Sequence, residues 1–337
     1  TGDPLQIIHQ LAETKHVERY LMTEVDKGLT DEERKVMSAL SVLLDAGGTR
    51  DAIEGVLDAG GLRRALSSLS QRSLLETRVG EHGMEYGQNA MLQDFYYSFL
   101  GRSERRAMHH RAALYYEAEE PDLLKAAQHF LRAGEDEKAL TLVTEAVGDL
   151  INKGQARPLL SLLKEVDVFR VTGAQRVKVR LALSQVQVTF GEYASAQEAC
   201  QKALSELALL PVNEEVRELQ AHACRWLARV YELRGEYGDA LHWVRQGLAA
   251  LQEQENSEAI ELRLMAGLIH VRQGHYAEAL DECRQGLRIA QTGNAPAVLA
   301  RADNRSDERR VGKEFRSRCR PFTYKNNTKE PTDYSTS

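Results

Sequence analysis

The sequence predicts a mainly α chain, in which a small domain of three helices and a β-hairpin precedes a superhelix of repeated helical hairpins. Three observations predict it. A phrase recurs as Gly191-Glu192-Tyr193-Ala194-Ser195-Ala196, Gly235-Glu236-Tyr237-Gly238-Asp239-Ala240 and Gly274-His275-Tyr276-Ala277-Glu278-Ala279. Each copy is followed by a mid-sized apolar residue (Cys200, Val244, Cys283), then a small one (Ala203, Gly247, Gly286), then a leucine (Leu204, Leu248, Leu287). The 337 residues are 42% apolar and 28% charged with only seven prolines, a balance that suits helices better than a β-sandwich.

The phrase writes a helical hairpin. Its Gly takes the left-handed conformation that closes one helix, its Tyr covers the open end, and its small residues let two helices cross closely. The signature Gly191, Tyr193, Ala196, Gly235, Tyr237, Ala240, Gly274, Tyr276 and Ala279 resembles the tetratricopeptide repeat. The glycines stand 44 and 39 residues apart, so helices or connections are longer than in that repeat, whose period is about 34 residues. A weaker copy, Gly134-Glu135-Asp136-Glu137-Lys138-Ala139, lacks the Tyr, and a further hairpin is expected around Gly154 with Leu159, Leu160, Leu162 and Leu163 on its apolar face.

The elements before the repeats read in order. Asp3 before Pro4 starts a helix, and Thr30 with Glu33 forms a capping box ahead of Val36, Met37, Leu40 and Leu43. Thr49 caps a second helix through Ile53 and Val56, Gly60-Gly61 breaks the chain, and a third helix carries Leu62, Leu66 and Leu69. Ser73 to Val79 and Met84-Glu85-Tyr86 flank a Gly80-Glu81-His82-Gly83 turn as a hairpin. Three helices and a hairpin make a winged helix. A helix from about Ala90 holds Phe95, Tyr96, Tyr97 and Phe99, and a longer one runs from Ser103 through Tyr116.

The order Gly2-Asp3-Pro4-Leu5, Leu29-Thr30-Asp31-Glu32-Glu33, Leu40-Ser41-Val42, Ser73-Leu74-Leu75, Leu92-Gln93-Asp94-Phe95 and His110-Arg111-Ala112-Ala113-Leu114-Tyr115-Tyr116 resembles the part that follows the ATPase in signal-transduction NTPases. This is the class of the apoptotic and plant-resistance (NB-ARC) switches and of the maltose-regulon activator. The resemblance covers residues 1–303 and implies four segments: 1–28, the end of an NTPase helical domain; 29–101, a winged helix; 102–303, a tetratricopeptide-like superhelix; 304–337, a tail. It also implies ATP or ADP as the cofactor of an NTPase domain outside this sequence, with none held by this segment, and it places Pro4 against the nucleotide. Where the family often carries a phosphate-sensing His, this chain has Gln88-Asn89-Ala90. Asn89 can donate a hydrogen bond to phosphate but cannot carry a charge.

Other classes are disfavoured. No run of 18 or more apolar residues predicts a membrane helix, no secretory leader opens the chain, and Thr1 in place of Met predicts a fragment. The cysteines Cys200, Cys224, Cys283 and Cys319 lack metal-ligand spacing and read as buried thiols of a reducing compartment, the cytoplasm. Residues 304–337 abandon helical periodicity. Arg305 to Glu314 resembles the conceptual translation of a sequencing-library adapter, so this segment is read as an artefactual, disordered tail. It holds nine basic and five acidic residues against a whole-chain net charge of −6, which leaves the body at −10 and argues against nucleic-acid binding.

No P-loop, H-E-x-x-H, G-x-S-x-G or C-x-x-C occurs in the body, so no enzyme activity is expected of this segment, and no metal site is expected. His109 and His110 point about 100° apart on one helix and read as a packing and a surface residue. Arg63 and Arg64 are too few to make the third helix a DNA reader.

Binding is expected on the concave face, lined by the first helix of each hairpin. Counting back from the signature glycines gives Lys178, Leu181, Gln185 and Val188, then His222, Arg225, Arg229 and Glu232, then Glu261, Leu264, Leu268 and Arg272. Of these, Lys178, Gln185, His222, Arg225, Arg229 and Arg272 are the candidate partner contacts, an exposed basic strip for an acidic protein or peptide. The functional expectation is a sensor arm that relays partner binding to the ATPase domain. A stand-alone repeat scaffold and a piece of an ATP-dependent transcription activator are the alternatives, and oligomerisation of the full-length protein stays open.

Overall fold

The computed structural model describes residues 20–292 apart from 44–46, 81, 120, 167–170, 253 and 255. Pro4, Cys319 and the segment 304–337 lie outside the described residues. The chain divides into two compact units, Thr1–Val147 with Arg157–Val179 and Gly148–Ala156 with Arg180–Ser337.

In the first unit, helical residues 20–27 (α1) lead to α2 (Asp31–Val42), β1 (Gly47–Thr49), α3 (Arg50–Leu57), α4 (Arg63–Gln71), β2 (Glu76–Gly80), β3 (Gly83–Gly87) and α5 (Ala90–Phe99). The expected capping box is present: Thr30 Oγ1 accepts from Glu33 N–H at 3.2 Å and Thr30 N–H donates to Glu33 Oε2 at 2.8 Å. Glu33 does more than cap, because Ser68 Oγ of α4 donates to its other oxygen at 2.6 Å. These hydrogen bonds outweigh burial and hold its carboxyl below the usual carboxylate range. Val36, Met37, Leu40, Ile53, Leu66 and Leu69 form the shared core of α2, α3 and α4.

One strand escaped the sequence. The antiparallel sheet has the order β1-β3-β2, with Gly48 opposite Tyr86 and Thr77 opposite Tyr86 on the other side. β1 is Gly-Gly-Thr, three residues with no apolar alternation and a single β-branched side chain, Thr49, too little to announce a strand. Its glycines are needed for approach: a Cβ on Gly47 would lie 2.6 Å from Tyr86 O, and one on Gly48 would lie 2.7 Å from Leu43 Cδ1.

Helix α6 (Arg102–Ala118) packs on α3, where Arg111 Nε donates to Val56 O at 2.5 Å and Tyr115 OH lies 3.3 Å from Thr49 Oγ1. It then pairs with α7 (Leu123–Ala133), capped by Asp122 and closed by Gly134 at φ 82°. α8 (Asp136–Glu145) follows with Ala139 and Val143 fully buried, so the weak fourth copy of the phrase is a hairpin turn. Gly154, at φ 78°, separates α9 (Val147–Asn152) from α10 (Ala156–Glu165), whose Leu159, Leu162 and Leu163 are buried.

The second unit is built from hairpins: the end of α11 (Gly173–Thr189) with α12 (Tyr193–Leu207), α13 (Glu214–Leu233) with α14 (Tyr237–Ala250), and α15 (Ser257–Gln273) with α16 (Tyr276–Thr292). Gly191, Gly235 and Gly274 turn the chain at φ 76°, 79° and 81°, the left-handed region that costs a side chain about 1–2 kcal/mol. Ala196, Ala240 and Ala279 are buried, as are Ala203 and Val244. At Gly247 an added Cβ would lie 2.9 Å from Leu262 Cδ1 and 3.1 Å from Cys224 Cβ, so close helix crossing accounts for the small residue.

The signature tyrosines lie at the rim of the core rather than within it. Tyr193 and Tyr237 are half-buried and Tyr276 is 52% exposed, because each is the first residue of its helix and covers a hairpin end from outside.

Candidate functional site

The first helices of the three hairpins in the second unit place the expected residues on a common face, but with different chemistry. Arg225, expected to be exposed, has a side chain only 8% exposed, and its Nε donates to Glu258 Oε1 of α15 at 2.5 Å. Its other arm reaches Glu261 at 3.9 Å. Arg229 donates to Glu232 one turn on at 2.9 Å. Arg272 of α15 pairs with the same Glu232, whose carboxylate is fully buried.

The exposed, unpaired basic strip is therefore corrected to a charge-balanced ladder, buried at Arg225, half-buried at Arg229 and exposed at Arg272, in which the three arginines face Glu232, Glu258 and Glu261. The physical reason is helix spacing. Partners three residues apart, or at the same height on adjacent helices, meet before solvent or a ligand does. A buried guanidinium without such a carboxylate would be strongly destabilising.

The remaining candidates extend this ladder or leave it. Gln185 Nε2 of α11 lies 3.1 Å from His222 Nε2 of α13, and Trp226 Nε1 donates to that same nitrogen at 2.9 Å. Lys178, half-buried on the N-terminal half of α11, belongs to the first unit. Sequence reasoning missed Glu258 and Trp226. The signal for Glu258 was available, since it stands one turn before Glu261 on the same helix face.

The hairpins are also tied within themselves and to one another. Arg180 holds Glu206 at 2.7 Å between α11 and α12, Gln197 donates to Tyr231 OH at 3.2 Å between α12 and α13, and Arg263 meets Glu282 at 3.0 Å between α15 and α16. Cys200 and Cys224 are buried thiols, each pushed up to about 12 by desolvation, with Ser184 Oγ 3.0 Å from Cys200 Sγ. Such thiols are poor nucleophiles.

In the first unit the two adjacent histidines divide as their helix positions require. His110 is half-buried at the surface, with Nδ1 2.5 Å from Glu135 Oε1. His109 is buried, its Nδ1 2.9 Å from Nδ1 of His129, while Tyr97 OH lies 3.2 Å from its Nε2. Tyr116 stacks on His129 with ring centroids 5.6 Å apart. Burial, aided by Arg132 and Arg105, lowers His109 to about 4; burial, aided by His109, Arg132 and Lys125, lowers His129 to about 2. The pair is neutral at physiological pH and joins α5, α6 and α7.

Asn89, placed near a nucleotide by the family resemblance, is the N-cap of α5, and its carbonyl oxygen accepts from Leu92 N–H at 2.9 Å. Pro4 lies outside the described residues. Asn89 is exposed, and its amide oxygen is engaged in this cap. Among the described residues no group of three or more His, Cys, Asp or Glu is placed to hold a metal, and no helix is long and apolar enough to cross a membrane.

Comparison with known proteins adds context. No family model matches the chain. The serine/threonine-protein kinase PknK of Mycobacterium tuberculosis is 26% identical over 247 residues, and that of Mycobacterium bovis is equally similar. These stretches cover 71% of this chain, which spans only 22% of the length of those kinases.

Among solved structures, a signal-transduction ATPase with a tetratricopeptide-repeat sensor from Pyrococcus horikoshii has TM-score 0.40 at 16% identity, over 83% of this chain and 47% of that one. The apo form of RapI has TM-score 0.46 at 17% identity, over 64% and 83%. NprR in complex with its peptide NprX has TM-score 0.41 at 13% identity, over 96% and 95%. The hairpins, left-handed glycines and buried alanines described above define the class from this chain itself: a mainly α protein of tetratricopeptide-like repeats.

Proposed function

We propose that this chain is the sensor arm of a signal-transduction NTPase. Its second unit binds a protein or peptide on the face of α11, α13 and α15, and its first unit relays the event to an ATPase domain outside this sequence that holds ATP or ADP. The observation that carries the reading is the shared polar face of consecutive first helices, where side chains from α11, α13 and α15 are locked to one another. A face held rigid by its own bridges is pre-organised for a partner, which lowers the ordering cost of binding.

The order α2-β1-α3-α4-β2-β3, with β1 beside β3, supports reading residues 29–101 as a winged helix. Its third helix buries Ala65, Leu66 and Leu69 and offers only Arg63 and Arg64 as exposed cations, a pattern that favours packing within the protein over contact with DNA. The similarity to a stretch of a much longer kinase agrees with an arm that serves a multidomain protein.

With the arginines neutralised, the partner is recognised by uncharged groups such as His222, Trp226 and Leu268 rather than by a basic strip. Photo-crosslinking tests this: a benzoylphenylalanine at position 268, on the first-helix face, captures the partner, and one at Arg245, exposed on α14, does not. Equal capture at both positions, or capture at Arg245 alone, moves the binding surface elsewhere.

A further inference from the structure

Three side chains meet at one nitrogen on the first-helix face. Trp226 Nε1 is 2.9 Å and Gln185 Nε2 is 3.1 Å from His222 Nε2. An indole N–H can only donate, so His222 Nε2 is an acceptor and the ring proton sits on Nδ1, which looks toward Glu258 Oε2 at 3.8 Å. One lone pair thereby serves donors from two helices, α11 and α13. A proton added to that nitrogen removes the lone pair. Gln185 can then turn its amide and offer an oxygen instead, but the indole has no alternative role to adopt.

We propose that His222 is a proton-operated latch for Trp226: the neutral ring holds the indole on the first-helix face, and the protonated ring releases it. The charged groups around the ring favour a defined rearrangement. From α15, Glu258 faces Nδ1, and Glu261 stands beyond it beside Arg225. From α13 itself, Arg225 opposes the added charge, holds Glu258 at 2.5 Å and lies 5.6 Å from the Trp226 ring centroid. From α11 the uncharged Gln185 faces it. Protonation of Nε2 takes the acceptor from the indole, while Glu258 can face the cationic ring through Oε2 and keep Arg225 on Oε1. The ring of His222 is 29% exposed, which gives the proton a path from solvent. This latch is independent of whether the face binds a partner.

The test uses the full chain labelled with 15N at tryptophan and histidine. Only Trp226 and Trp243 are present, so Trp243→Phe assigns the two indole signals. The expected result is that at neutral pH the His222 Nε2 shift is that of an unprotonated nitrogen, and that on acidification the Trp226 indole signal moves with a one-proton titration. His222→Gln keeps an acceptor oxygen but cannot titrate, so its Trp226 signal stays in place over the same range while circular dichroism confirms the fold. The proposal is overturned if His222 Nε2 carries the proton at neutral pH, if Trp226 stays still while His222 titrates, or if Trp226 moves equally in His222→Gln.

Discussion

Acidification from pH 7 to pH 5 should loosen the first unit through His109 and His129. Both are buried in the fold and lowered from the ordinary 6.5, to about 4 and about 2. The folded values lie below the unfolded one, so the stability tied to keeping these rings neutral is fully present above the unfolded value. It is lost as pH falls beneath it, down to the folded values. At pH 5 an unfolded histidine is 1.5 pH units below its midpoint, worth about 2 kcal/mol, so the pair costs roughly 3–4 kcal/mol.

The size of the effect depends only on both folded values lying below 5, not on where below. The assay is hydrogen exchange of peptides from α6 and α7, corrected for the intrinsic rate at each pH. Protection should fall by roughly two to three orders of magnitude between pH 7 and pH 5 in the native sequence, since 1.36 kcal/mol is a tenfold change. It should fall less than about tenfold in His109→Gln/His129→Gln, where neither group titrates. Equal losses in the two proteins would refute the reasoning, because the pH dependence would then belong to other groups.

Other expectations follow from the second unit. Glu232→Ala removes the buried carboxylate that Arg229 and Arg272 share; both arginines can reach water, so stability should fall by about 1–2 kcal/mol in urea unfolding followed by tryptophan emission. Gly247→Ala forces Leu262 or the α13 backbone near Cys224 to shift and should cost about 1–3 kcal/mol by the same measurement, whereas alanine at Gly286, with neighbours no nearer than 3.7 Å, should be tolerated. Tyr237→Ala, at a half-buried position, should cost about 1–2 kcal/mol rather than the larger penalty of a core aromatic. Cys200 and Cys224 should resist a thiol reagent at pH 8 in the native protein and react only after unfolding, which timed mass spectrometry reads directly.

Much of the fold was legible because it is written in repeats. Gly191, Gly235 and Gly274 each need the left-handed conformation, and three coincidences in register leave little room for another architecture. The capping box at Thr30 and Glu33 was equally plain, because its two hydrogen bonds are local in sequence. β1 was not legible, since its Gly-Gly-Thr exists only through pairing with β3, nearly forty residues on.

The candidate site was half legible. Helix periodicity put Arg225, Arg229, Glu232, Glu261 and Arg272 on one face correctly. What periodicity does not encode is the height at which neighbouring helices pack, and that height decides whether an arginine meets water or Glu258. Charge was therefore read as surplus where it is matched.

The charge-swap cycle on Arg225 and Glu258 tests the central claim most directly. Arg225→Glu and Glu258→Arg are made singly and together, and unfolding by urea is followed for each alongside capture of the partner. The ladder predicts that each single reversal destabilises the second unit by about 3 kcal/mol or more, and that the double swap recovers much of the loss. If both singles unfold like the native protein and Arg225→Glu alone abolishes partner capture, then Arg225 is an exposed partner contact and the self-neutralised face is wrong.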